Sequence, residues 1–74
     1  MTKQAIKNIV GNICEVRISN LPSGSQFVKV VVPTAGGRGV YTLEIQSIIA
    51  KLHAAGFPEA ERGHFANTVE MILN

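Results

Sequence analysis

Aspartate and tryptophan are absent from this 74-residue chain, and cysteine and tyrosine each occur once. One cysteine, Cys14, allows no internal disulfide and so excludes the cross-linked scaffolding of many small secreted domains. Without aspartate, a nucleophile–base pair lacks its commonest orienting carboxylate. Charge is also sparse: 16% of residues carry it, against about 25% in an ordinary domain. That argues against a disordered or solvating segment and leaves more neutral surface than usual. No apolar run approaches the roughly 20 residues of a membrane-spanning helix. No apolar stretch follows Lys3 in the manner of a secretory signal, so the expected location is cytoplasmic.

The hydrophobic fraction, 46%, lies within the globular range, and the length fits a single small domain spanning 1–74. Such a chain buries only about 60% of its unfolded surface, so modest stability is expected. Net charge is +2, from seven Lys and Arg against five Glu. Lys3, Lys7, Arg17, Lys29, Arg38, Lys51 and Arg62 are scattered singly. A dedicated nucleic-acid binder usually gathers its bases on one face.

Periodicity gives an element order. Ile6, Ile9 and Val10 recur at helical spacing over 2–10, with Thr2 as a cap and Gly11 as a stop; an extended arm is the rival reading. Over 13–19, Cys14, Val16 and Ile18 alternate with Glu15, Arg17 and Ser19, a strand. The turn formers of 20–25, notably Pro22 and Gly24, join it as a hairpin to a second strand, 27–32. After Pro33 and the turn Gly36-Gly37-Arg38-Gly39, a short third strand is expected at Val40–Leu43. Ile45, Ile48, Ile49 and Leu52 then mark an amphipathic helix, ended by Gly56 in a left-handed conformation, with Phe57 packing back on it. A last helix is expected after Pro58 or from His64, with Phe65, Val69 and Ile72 as its stripe, although Gly63 fits a helix poorly. The fold class is therefore α+β: a three-stranded antiparallel meander with one or two C-terminal helices, and a short N-terminal helix, packed on one face.

The second strand is apolar on both sides. Val28, Val30 and Val32 point one way; Phe27, Lys29 and Val31 point the other. Helices on one face cover only one row, so the other needs the N-terminal segment, a sheet twist, a second subunit or a partner protein to shield it. Six β-prone residues with one charge are also an aggregation hazard when uncovered.

Chemistry-bearing patterns are weak. Cys14 with His53 or His64 has no third member for catalysis, and these residues lack the local spacing of a zinc site. The turn at 36–39 lacks the Lys-Ser/Thr of a phosphate loop. Glu59 and Glu61 suit a helix start better than paired acid–base work. No enzyme, cofactor or metal is expected.

Two functional readings follow. The first is a non-enzymatic protein-interaction module with Phe27, Lys29, Val31, Arg38 and Tyr41 as contacts, binding a protein partner or a second copy (a dimer) through the second-strand face. In size and absence of chemistry it is similar to phage- or mobile-element inhibitors and regulators that bind a host protein, anti-CRISPR proteins among them. The alternative is a nucleic-acid-binding domain. The expected order α-β-β-β-α resembles that of double-stranded RNA-binding domains, without the lysine cluster at the start of the last helix. Lys3, Lys7, Arg17, Lys29 and Arg38 would then contact phosphates.

Overall fold

Two helices lie on one face of a four-stranded antiparallel sheet in a computed structural model of the chain. It describes residues 3–33, 42–65 and 67–74. Helix α1 (Lys3–Val10) buries Ile6 and Val10; Thr2, expected as its cap, lies outside the described residues. The chain then turns at Gly11, whose φ is +110° and whose N–H donates to the Lys7 carbonyl at 2.7 Å. The helical stripe at 6, 9 and 10 thus prevails over the extended-arm reading.

Strands β1 (Glu15–Asn20) and β2 (Gln26–Val31) form the expected hairpin, with Val16 opposite Val30 and Ile18 opposite Val28. In its loop the Gly24 N–H donates to the Leu21 carbonyl at 3.0 Å. That places Pro22 at the second turn position, where its fixed φ is already suitable.

Helix α2 (Thr42–Ala54) buries Ile45, Ile48 and Leu52. Glu44 in its first turn and Lys51 and His53 in its last complement the helix dipole. It ends in a Schellman arrangement: the Phe57 N–H donates to the Leu52 carbonyl at 2.9 Å and the Gly56 N–H to the His53 carbonyl at 3.1 Å. Gly56 has φ +100°, which a residue with a Cβ rarely adopts.

The remaining strands come from where a helix was expected. Residues 61–73 form β3 (Glu61–Arg62) and β4 (Thr68–Leu73), giving the order β1-β2-β4-β3. The three-stranded meander and the C-terminal helix are corrected accordingly. The residues Phe65, Val69 and Ile72 do not share a face: Val69 is fully buried, while Phe65 is 64% exposed and Ile72 46% exposed. The period that prevails is two. Val69 and Met71 point into the core, opposite Val30 and Val28, and a strand gains more from that pairing than an isolated helical stripe offers. The third strand expected at 40–43 is also revised, because Thr42 and Leu43 open α2; Val40, Tyr41 and the turn at 36–39 lie outside the described residues.

The core sits between the helices and one sheet face. Ile6, Val10, Cys14, Val16, Val28, Val30, Ile45, Leu52, Val69 and Met71 form one buried cluster. Among the described residues no helix is long and apolar enough to cross a membrane.

Candidate functional site

The candidate site is the sheet face turned away from the helices. Alternation along each strand decides who stands there. On β1 these are Glu15, Arg17 and Ser19, all exposed; on β2 they are Phe27, Lys29 and Val31, all half-buried. On β4 they are Thr68, Glu70 and Ile72. Helix α1 packs into the core with α2, so the N-terminal segment does not cover this face. Among the described residues the second row read from the sequence is thus only partly covered, with Phe27, Lys29 and Val31 each half-buried.

One corner of the face is covered by the turn between β3 and β4. The Gly63 N–H donates to the Thr68 carbonyl at 2.9 Å. The Thr68 hydroxyl donates to the Phe65 carbonyl at 2.8 Å, and Thr68 is buried. The Phe65 ring lies 4.7 Å from the Lys29 ammonium, a cation–π contact. The Glu70 carboxylate accepts from the His64 N–H at 3.3 Å and lies 3.2 Å from His64 Nδ1. Next to this corner is a groove of about 550 Å³ whose lining includes Phe27, Ile72, Glu59, Glu61, His64 and Glu70.

Of the expected contacts, Phe27, Lys29 and Val31 stand on this face; Arg38 and Tyr41 lie outside the described residues. Phe65 and Ile72 join the face unexpectedly. The signal for Ile72 was the alternation of Thr68, Glu70 and Ile72 against Val69, Met71 and Leu73; Phe65, in the turn before β4, had none. The basic residues of the alternative reading are divided. Arg17 and Lys29 are neighbours across β1 and β2, but Lys3 and Lys7 lie on α1, in the helix layer behind the sheet. Arg17 is moreover ion-paired with Glu15.

The chemistry-bearing side chains are engaged separately. Cys14 is 3% exposed, and burial holds its thiol above the ordinary value. That is the reverse of an activated thiolate. His53 Nε2 lies 2.9 Å from the Ala60 carbonyl; a carbonyl only accepts, so Nε2 carries the proton. His64 is taken up by Glu70. Among the described residues no three His, Cys or Glu side chains are grouped so as to hold a metal. A second, more apolar hollow of about 310 Å³ lies between the end of α1 and the start of α2, rimmed by Ile13 and Leu43, both well exposed. No protein-family model, curated protein or solved structure matches the chain.

Proposed function

We propose that this chain is a small protein-interaction module whose contact surface is the open face of the sheet. The observation that carries the reading is the pairing of Phe27 with Ile72 across β2 and β4 on a face that neither helix covers. An aromatic residue, a β-branched neighbour and a ring of charged groups make the usual chemistry of an interaction hot spot. Lys29 and Val31 extend the contact, and Arg38 and Tyr41 are proposed to add to it. A role as an inhibitor or regulator of the bound protein follows from the same reading. The nucleic-acid reading has less support, because its basic residues are divided between the two sides of the molecule.

The test is capture of partners by the tagged chain with and without nuclease, at low and at physiological salt. A protein retained after nuclease and at both salts supports the module. Nucleic acid recovered without nuclease, and lost steeply as salt rises, would replace this reading with the alternative.

A further inference from the structure

Strand β4 is paired along its whole length with β2 but only in part with β3. The Gly63 N–H donates to the Thr68 carbonyl, and Glu61 pairs with Glu70. Backbone groups alternate in direction along a strand, so Thr68, Glu70 and Ile72 turn theirs toward the β3 side. Strand β3 begins only at Glu61, and the residue before it is drawn away. The Ala60 N–H donates to the Phe57 carbonyl at 3.2 Å, and the Ala60 carbonyl accepts from His53 Nε2 at 2.9 Å. Among the described residues no backbone bond reaches Ile72 from that side. Its N–H and C=O therefore stand at an open stretch of sheet edge, a template for another strand.

A hollow lies on each side of this stretch. On the open face is the groove of about 550 Å³ with Phe27 and Ile72 in its lining. On the helix side is one of about 400 Å³ lined by Gly56, Phe57 and Leu73. Ile72 and Glu59 line both. An added strand sends alternate side chains to opposite faces, so it needs room on both, as peptides bound by strand addition do. The charge of the open-face groove is one-sided. The chain is net +2, yet three of its five glutamates line this groove and no described lysine or arginine does. Glu70 is taken up by His64. Glu59 and Glu61 are exposed, and among the described residues neither has an ion-pair partner.

Resting on the reading of this face as an interaction surface, we propose that its occupant is an extended peptide segment of a partner protein, added beside Ile72 in line with β3 and carrying an arginine or lysine opposite Ile72. That side chain stands on the open face, as Ile72 does. Its methylene stem lies on Phe27 and Ile72, and its charge reaches Glu59 and Glu61, supplying the sign the groove lacks. The residues on either side of it turn toward Phe57 and Leu73 and are apolar. The main-chain bonds to Ile72 hold the segment, and the basic residue selects it.

The test is selection of displayed random peptides of about eight residues on the full chain, followed by titration of the strongest one, made synthetically, into isotope-labelled protein. The selected peptides are expected to share an arginine or lysine flanked by apolar residues. The titration should shift the Ile72 amide and the signals of Phe27, Glu59 and Glu61. Methylating the peptide nitrogen that faces Ile72 should abolish binding, and Glu61→Lys should weaken it about tenfold or more. Lysine at 61 stands opposite Glu70, so the fold is not penalised; circular dichroism checks this. Failure to select any peptide overturns the proposal. So does a selected set without a shared basic residue, binding that shifts Val16 and Ile18 at the β1 edge instead, or binding indifferent to Glu61→Lys or to the methylated nitrogen. The broader reading fails separately. The strand site is overturned while the module stands if no such peptide binds but the chain captures a protein that Phe27→Asp loses. Both fail if no such peptide binds and Phe27→Asp captures the same proteins as wild type.

Discussion

Replacing Gly63 with alanine should lower stability, and the sign of the effect separates two accounts of the C-terminal segment. A Cβ at Gly63 would overlap Thr68 Oγ1 and come within 2.8 Å of the Glu70 carboxylate. Glu70 ends a flexible side chain and can swing aside. Thr68 cannot do so cheaply, because its hydroxyl is buried and bonded to the Phe65 carbonyl at 2.8 Å. Rotating it away leaves a buried hydroxyl unsatisfied, and holding it in place forces the turn apart. Either route costs about 1–3 kcal/mol. For a domain of this size that lowers Tm by roughly 5–20 °C. A helix through 63 predicts the reverse, since alanine would gain about 1 kcal/mol over glycine there. Urea or thermal denaturation of Gly63→Ala, Thr68→Ala and the double variant measures both the sign and the coupling. The double variant should lose less than the sum of the singles, because the clash needs Thr68 Oγ1. Stabilisation by Gly63→Ala, or strict additivity, would refute the close approach.

Other expectations follow from the same packing. Leu52 is completely buried beneath α2 whereas Leu43 is 81% exposed, so Leu52→Ala should cost roughly 2–5 kcal/mol and Leu43→Ala less than about 0.5 kcal/mol in urea unfolding of the isolated protein. Cys14 gives a pH dependence. Burial raises its thiol pKa in the folded state, so between the unfolded and folded values the native chain holds the extra proton and stability falls as pH rises. The urea midpoint of wild type should therefore decline above about pH 8.5 more steeply than that of Cys14→Ala, and parallel declines would remove the cause. The same burial predicts slow labelling of Cys14 by a thiol reagent in buffer and fast labelling in urea.

The β1–β2 hairpin and helix α2 were legible because local signals agreed. Period-two alternation over 14–19, the Pro22 and Gly24 turn, and Gly56 after a four-member apolar stripe each have one inexpensive backbone solution. The segment 61–73 was harder because two periods overlap in it. Phe65, Val69 and Ile72 satisfy a helix, while Val69, Met71 and Leu73 satisfy a strand. The choice is made by partners remote in sequence, since Val28 and Val30 of β2 need a neighbour on their free side. Glycine at 63 was the local hint: it was a poor helix residue, and the structure uses its missing side chain to admit Thr68. The candidate face was legible in half. Phe27, Lys29 and Val31 follow from alternation along β2, but Ile72 and Phe65 join them only once β4 is a strand.

On the proposed reading, adjacent residues of β2 serve opposite ends, Phe27 for binding and Val28 for folding. Phe27 is half-buried on the open face and Val28 is fully buried against the helices. The most direct measurement is a comparison of Phe27→Asp and Val28→Asp, each followed through its unfolding transition and in capture of protein partners after nuclease. Phe27→Asp should keep a cooperative transition, at a cost of about 1–2 kcal/mol, while losing capture; Val28→Asp should lose the folded state through an unpaired buried carboxylate. A folded Phe27→Asp that captures like wild type, or a Phe27→Asp that unfolds as Val28→Asp does, would contradict this division of roles.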